Sequence, residues 1–319
     1  MTIQNAGNSP SVTFIHIDAD QAGQRIDNFL MTHLKGVPRS KIYQIVRRGE
    51  VRVNKGRIKA HYKIQTGDEI RIPPVRTAQR ENLVVNKAII HKLRDAIIYE
   101  DEDFLAINKP AGVAVHGGSG VKSGLIESLR AARPEAKFLE LVHRLDKNTS
   151  GCLLVAKKRS ALRYLQDLFR QHKIKKKYLA LVKGNAKNKS YHVELALKKN
   201  TLSSGERIVR VNKEGKTAIS DFNIIESGKV ASLYEVDIHT GRTHQIRVHA
   251  QSLGHPVAGD EKYGDDEFNK QMKSYDLKRM FLHAASLSVK SSSGKMINLS
   301  APLDQELITV LSNIGIQTP

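Results

Sequence analysis

The sequence predicts an α+β protein: a small α+β domain followed by a larger domain, which is built on a mixed, mostly antiparallel β-sheet with flanking helices. Length is the first observation, because 319 residues at about 150 residues per domain suggest two domains. Near its start the chain has two short helical patterns followed by short strands, and beyond residue 93 strand-like segments predominate. The predicted parts are a flexible leader, a small domain, a linker and a large domain, over residues 1–15, 16–75, 76–92 and 93–319.

Helical periodicity defines the first half of the small domain. Apolar residues recur at helical spacing in residues 24–34, and the same spacing returns in residues 37–49, which end in a glycine typical of a helix terminus. Two short β-like pieces follow within residues 51–59, and residues 67–73 indicate a strand that a double proline ends. The small domain is therefore predicted to contain two helices and three short strands.

The larger domain is predicted from segments that are rich in β-branched and aromatic residues and bounded by turn residues. Two helical patterns interrupt these strands, at residues 160–172, with Ser160 as the expected N-cap, and at residues 243–254, with Gly254 as the terminating residue. The predicted strands lie at residues 96–100, 104–110, 152–156, 177–184 and 232–240.

The chain carries a large excess of positive charge. Its 52 Lys and Arg residues against 32 Asp and Glu residues give a net charge of +20, which points to a polyanionic partner, above all nucleic acid. Half of this excess falls within residues 32–80. A solvated face is the alternative explanation, but several basic side chains avoid the apolar stripe and are expected to form one outward basic surface. They are Arg39, Lys41, Arg47, Arg48 and Arg52.

Several classes of function fit the sequence poorly. No run approaches the ~18 apolar residues of a membrane-spanning helix, and the N-terminus lacks a secretory signal, so a cytoplasmic protein with no membrane partner is expected. The one cysteine, Cys152, heads an apolar run and is expected to be a buried strand residue. Glycine and histidine spacings match neither a nucleotide-binding loop nor a metal site, so we expect no cofactor and no metal. Because heptads are missing, a monomer is expected.

One polar loop is the strongest candidate for chemistry. Residues 143–151, with the sequence HRLDKNTSG, lead directly into the apolar strand at residues 152–156. An ionised aspartate can act as a nucleophile or a base when a nearby cation keeps it charged after burial, and Arg144 or a more distant basic residue could supply that cation. An Asp-Thr turn with a local arginine pair explains the same residues, and local composition does not decide between the two.

Ordered motifs along the chain resemble two known families. The Pro-Arg-Ser-Lys helix, the Gly-Glu-Val-Arg-Val-Asn segment and Gly-Asp-Glu-Ile, within residues 23–75, resemble the S4 RNA-binding module. Residues 143–151 resemble the catalytic motif of the RluA family of pseudouridine synthases, and this likeness spans about residues 93–305, which implies that family's fold. Further motifs of the family are found in similar form at residues 108–112, 177–184 and 240–249, with Ala111 at a position where serine is common.

The second resemblance implies roles for individual residues. The family's catalytic aspartate corresponds to Asp146, its basic partner to Arg247, and its active-site tyrosine, expected to stack on the target uracil, to Tyr178. Arg144 is expected to occupy the space left by a flipped base, with a salt bridge to Asp146 as the alternative.

Two further residues, Arg242 and His244, are the implied contacts to the RNA substrate. Arg247 lies three residues after His244 in the predicted helix, so these two side chains are expected on one helix face. Together with the implied pairing of Arg247 and Asp146, the resemblance implies that this basic helix face meets the catalytic loop.

The implied activity is conversion of uridine to pseudouridine in ribosomal RNA of the large subunit, either free or in the assembling subunit. This isomerisation involves no redox change and needs no cofactor. The alternatives are a noncatalytic RNA-binding factor for ribosome assembly and a related synthase that acts on other ribosomal uridines. Attack on the ribose, attack on the base and proton removal from the sugar are the routes open to Asp146.

Overall fold

The computed structural model describes residues 11–19, 21–34, 36–75, 93, 95–117, 123–185, 188–201 and 207–319. The chain divides into two compact units, Met1–Leu83 and Val84–Pro319. The first ten residues of the predicted leader and the whole predicted linker, residues 76–92, lie outside the described residues.

The small unit combines two helices with a four-stranded antiparallel sheet. Its helices are α1 (Ile26–His33) and α2 (Arg39–Arg47), and its strands are β1 (Thr13–His16), β2 (Arg52–Val53), β3 (Gly56–Arg57) and β4 (Glu69–Ile72). The strand order is β1-β4-β2-β3. Ile26, Phe29, Ile42 and Ile45 are buried in one apolar cluster, so the helical spacing of the sequence does place these side chains inside.

Strand β1 differs from the prediction, since it begins inside the predicted leader, residues 1–15. Its four residues pair with β4, and three of them are exposed. A short strand with this exposure lacks the alternation of apolar and polar residues that distinguishes a strand from a loop.

The large unit is built on one eleven-stranded sheet. Its strands are β5 (Ile97–Glu100), β6 (Phe104–Lys109), β7 (Glu140–Leu141), β8 (Ser150–Ala156), β9 (Lys175–Lys183), β10 (Ser190–Thr201), β11 (Arg207–Val211), β12 (Lys216–Ser227), β13 (Ala231–Ile238), β14 (Leu282–Lys290) and β15 (Met296–Ser300). The order is β11-β10-β12-β13-β9-β14-β8-β6-β5, with β7 on β8 and β15 on β14. Among the described strands of this sheet, β14 and β8 alone pair in parallel, so the predicted mixed, mostly antiparallel sheet is confirmed.

The described part of the large unit has five helices, α3 (Leu125–Ala132), α4 (Arg159–Arg170), α5 (Gln245–Ser252), α6 (Asp266–Lys273) and α7 (Gln305–Asn313). Helices α4 and α5 confirm the two predicted helices. Ser160 is not the N-cap of α4, because Lys158 occupies that position and Ser160 already lies in the first helical turn. None of the described helices is long and apolar enough to cross a membrane.

A close approach between β8 and β14 positions the loop that precedes β8. Gly151 has a φ of +107°, and a Cβ there would lie 2.3 Å from the backbone oxygen of Ala284 on β14, so only glycine fits. On the other side of β14, Tyr178 of β9 pairs with the same Ala284. The end of the 143–151 loop and Tyr178 are thereby brought together on strands that flank β14.

Candidate active site

One cavity brings together the residues that the sequence assigns to catalysis and substrate binding in the large unit. It lies where the loop before β8, strand β9 and the start of α5 meet. Its walls include Asp146, Tyr178 and Arg247, together with Arg144, Arg242 and His244.

Asp146 presents its carboxylate to this cavity. Leu145 is buried in the apolar cluster beneath the loop, and the Thr149 N–H donates to the Asp146 carbonyl oxygen at 3.2 Å. The Asp146 side chain is 21% exposed, and its ion-pair partners among the described residues are His244 and Arg247. The local pair with Arg144, the alternative explanation of this loop, does not form within the described structure.

Arg247 connects two carboxylates. Its Nη1 lies 3.8 Å from Asp146 Oδ2, while its Nε and Nη2 each donate at 2.7 Å to an oxygen of Asp260. Burial opposes ionisation of Asp260, but hydrogen bonds from Arg247 and from the backbone N–H groups of Lys262 and Tyr263 hold the pKa of Asp260 below its usual value. Asp260 therefore fixes the guanidinium in the orientation that faces Asp146.

His244 is the N-cap of α5 and has an uncommon backbone conformation. Its φ of 56° lies in the left-handed region, where strained residues often mark functional sites. Its Nε2 lies 3.8 Å from Asp146 Oδ2 and its Nδ1 lies 2.8 Å from Tyr263 Oη. Burial lowers the pKa of His244, with the Asp146 charge opposing this shift and the Arg247 charge adding to it. This shift favours the neutral ring at pH 7.

Tyr178 lines the cavity from β9. Its ring packs against two apolar clusters of the large unit, so the core packing considered from the sequence is part of its role. Burial, and after it the negative charge of Asp146, raises the pKa of Tyr178, so the phenol keeps its proton.

Comparison with known proteins shows which family has this arrangement. The RNA pseudouridylate synthase model matches residues 103–252 and the S4 domain model matches residues 24–70. The "Ribosomal large subunit pseudouridine synthase C" of Salmonella typhi is 55% identical over 304 residues, which cover 94% of this chain and 95% of that relative. The chain belongs to the RNA pseudouridylate synthase family.

Other members of the family agree with this assignment. The Escherichia coli (strain K12) protein named "Ribosomal large subunit pseudouridine synthase C" is 54% identical over 311 residues, or 96% of this chain and 98% of the relative. The solved structure of human RNA pseudouridylate synthase domain containing 4 has a TM-score of 0.61 and 25% identity, over 73% of this chain and 97% of that one. The solved structure of human RNA pseudouridylate synthase domain containing 1 has a TM-score of 0.59 and 28% identity, over 70% of this chain and 88% of that one.

For a pseudouridylate synthase, Tyr178→Phe separates the ring of Tyr178 from its hydroxyl. We expect RNA affinity to be kept, because the ring and its packing remain, and the single-turnover rate to fall about 100-fold, because the hydroxyl proton is lost from the cavity. Rapid-quench kinetics with saturating enzyme measures this rate. A variant with full rate would show that the hydroxyl has no chemical role.

A buried lysine ties the Asp146 loop to the strand beside it. Lys109, the last residue of β6, is 0% exposed, and its Nζ donates to the carbonyl oxygens of Pro110, Val113 and Lys147 at 2.8, 3.0 and 3.1 Å. Lys147 directly follows Asp146 in the chain. Burial lowers the pKa of Lys109 to about 7, and the Asp146 charge opposes that shift.

Lys109→Met is expected to loosen the catalytic loop, because three carbonyl oxygens lose their donor. We expect a loss of about 3 kcal/mol in the free energy of unfolding and a slower single-turnover rate, measured by urea titration and by rapid quench. Lys157→Met is the matched control, because Lys157 follows the opposite end of β8 from the Asp146 loop and donates to Glu100 and to the Asp101 carbonyl oxygen instead. Equal rate losses in the two variants would contradict a specific role for Lys109.

The two arginines at the cavity mouth are exposed. Arg242 Nε donates to the Thr217 carbonyl oxygen at 3.0 Å, and the Arg242 N–H donates to Gln245 Oε1 at 3.0 Å. Arg144 forms no ion pair with the described residues. Both guanidinium groups are therefore accessible to RNA at the entrance to the cavity.

The five basic residues that the sequence assigns to RNA binding all belong to the small unit. Four are exposed and one, on β2, is half-buried. This placement agrees with the expected outward basic surface. In the order of the chain these residues are Arg39, Lys41, Arg47, Arg48 and Arg52.

Cys152 is buried in β8, as expected. Burial raises the pKa of its thiol to about 12, so the thiol stays protonated. In the part of the chain that the structure describes, no group of three or more His, Cys, Asp or Glu side chains is placed to hold a metal ion.

Proposed function

We propose that the chain converts uridine to pseudouridine in large-subunit ribosomal RNA, with Asp146 as the reacting carboxylate. The observation that carries this proposal is the single cavity in which the Asp146 carboxylate lies 3.8 Å from both Arg247 and His244, beside Tyr178. A charged carboxylate that is held by a fixed cation can act as a nucleophile or as a base.

The reaction rearranges one nucleotide without redox chemistry. The N1–C1′ bond breaks, the uracil turns, a C5–C1′ bond forms, the C5 proton is released and N1 takes up a proton, so that the product is an isomer of uridine. Asp146 attacks the ribose or the base, or removes a sugar proton, while Arg247 pairs with the carboxylate and Tyr178 stacks on the uracil. Because a paired base cannot reach this cavity, the nucleotide is flipped out at a cost of a few kcal/mol, and exposed Arg144 takes the space it leaves.

The RNA substrate is assigned from the names of the relatives and from the basic surface of the small unit. Relatives that are about 54–55% identical over most of the chain are named for the ribosomal large subunit, and the small unit matches the S4 domain. Its basic surface would hold phosphates of folded RNA, free or in the assembling subunit, while Arg242 and His244 contact the RNA at the cavity. We place this reaction in the cytoplasm and assign it to the monomer.

Mapping pseudouridines tests this function. Purified chain is incubated with protein-free large-subunit and small-subunit ribosomal RNA, without added cofactor, and modified positions are mapped by sequencing. We expect pseudouridine in large-subunit RNA alone. Binding without modification would support a noncatalytic assembly factor, and modification of small-subunit RNA alone would overturn the assigned substrate.

The basic surface of the small unit is expected to determine how strongly RNA binding depends on salt. Replacing Lys41 and Arg47 with Ala is expected to weaken binding and to reduce the slope of log affinity against log salt by about 2, because two phosphate contacts are lost. Exposed Lys295→Ala, in the loop between β14 and β15, is the control. An unchanged salt slope, measured by filter binding, would remove Lys41 and Arg47 from the RNA-binding surface.

A further inference from the structure

A buried hydroxyl group lies behind His244. Tyr263 is 3% exposed, and its Oη accepts a hydrogen bond from the Val209 N–H at 2.8 Å. The same oxygen lies 2.8 Å from His244 Nδ1. The other ring nitrogen, Nε2, is the one that faces Asp146 Oδ2. A chain of contacts therefore runs from the backbone of β11 to the reacting carboxylate.

The donors and acceptors along these contacts determine which atom donates in each hydrogen bond. A backbone N–H can only donate, so the Val209 N–H uses one lone pair of Tyr263 Oη. The phenol also carries one O–H to donate, and the acceptor found for it among the described residues is His244 Nδ1. A nitrogen that accepts carries no proton, so the single proton of the neutral ring lies on Nε2.

Burial favours the neutral form of His244, because a protonated ring would lose its hydration. The Arg247 guanidinium lies 3.8 Å from the same Asp146 oxygen and 4.8 Å from the centre of the Tyr263 ring. A second full positive charge on His244 would therefore stand beside Arg247, while Lys262 also disfavours that charge and Asp146 and Asp260 favour it. A neutral ring with an Nε2–H supplies a donor without this repulsion.

We propose that Tyr263 is a positioning residue that holds His244 as the neutral Nε2–H tautomer, with this N–H directed at Asp146 and at the uridine beside it. The role in turnover rests on the proposed function, whereas the tautomer does not. His244 is then a catalytic hydrogen-bond donor, and not only a basic contact for phosphates.

The tautomer is tested without any activity measurement. The ¹⁵N imidazole signals of the full-length protein are recorded at pH 7.5, and those of His244 are identified by their loss in His244→Asn. We expect Nδ1 to show the shift of an unprotonated acceptor and Nε2 that of an N–H, and we expect the Nδ1 shift to move in Tyr263→Phe. A proton on Nδ1, or on both nitrogens, would overturn the assignment.

The role of the Nε2–H in turnover is tested with two amides. His244→Gln places an amide N–H near the Nε2 position, whereas the shorter His244→Asn places it near Nδ1. Asn tolerates the left-handed φ of this position well, so backbone strain does not favour the Gln variant. We expect the single-turnover rate of the Gln variant to stay within about tenfold of wild type and that of the Asn variant to fall about 100-fold.

Equal rates in these two variants, or a faster Asn variant, would overturn the proposed donor role. Because the ¹⁵N measurement needs no RNA, it separates failure of this inference from failure of the proposed function. If the wild-type chain forms no pseudouridine, the proposed function fails, and the tautomer is still decided by its own spectrum.

Discussion

Asp146→Asn is expected to abolish pseudouridine formation, with a fall of about 10⁴-fold or more in the single-turnover rate. The amide has nearly the shape of the carboxylate but can neither attack carbon nor accept a proton as a base. It also removes the negative charge that Arg247 and His244 face at 3.8 Å. Rapid quench with saturating enzyme and mapped pseudouridine as the readout measures this effect.

RNA binding by the same variant provides the contrast. We expect its affinity for RNA to stay within about twofold of wild type, because phosphate contacts dominate affinity and Asp146 contributes none. Asp103→Asn, at a half-buried position in the turn before β6, is the matched control and should keep full turnover. Normal pseudouridine formation by Asp146→Asn would remove Asp146 from the chemistry.

Arg247→Ala is expected to lower the single-turnover rate about 1000-fold while affinity changes much less. The substitution removes the cation beside Asp146 and also leaves the buried Asp260 carboxylate without its two 2.7 Å donors. We therefore expect a loss of about 3–5 kcal/mol in the free energy of unfolding as well. Rapid quench and urea titration measure the two effects.

Asp260→Asn separates the effect of the Arg247–Asp260 pair on the rate from its effect on the free energy of unfolding. Asn keeps one acceptor for Arg247, so the fold should be less affected, but the guanidinium is held less firmly towards Asp146. We expect the rate to fall and to remain lower after the stability loss is offset by lower temperature. A near-normal rate in Arg247→Ala would contradict the pairing with Asp146.

Periodicity in the sequence predicts most of the fold that positions the site. The strands at β6, β8 and β9 and the helix α5 all follow from local apolar patterns, since side-chain burial imposes periods of 2 and 3.6 residues. Strand β1 and the start of α4 do not follow from them, because an exposed strand has no alternation and the Ser160 hydroxyl is not used as a cap.

The site is only partly predictable from the sequence. Spacing alone places His244 and Arg247 on one face of α5, and the structure puts both beside Asp146. Asp260 and Lys109 carry no such signal, because the contacts that tie them to the site, with Arg247 and with the Lys147 carbonyl oxygen, join separate segments of the chain. The family likeness over residues 93–305 spans both positions, but their roles emerge only from the hydrogen bonds.

Release of the C5 hydrogen tests the central claim most directly. Large-subunit RNA labelled with tritium at C5 of uridine is incubated with the purified chain, and the tritium in water and the length of the RNA are measured together. Because a new C5–C1′ bond displaces that hydrogen, we predict tritium release equal to the pseudouridine formed, with intact RNA and no release by Asp146→Asn. No tritium release by the wild-type chain, or strand cleavage in its place, would contradict the account.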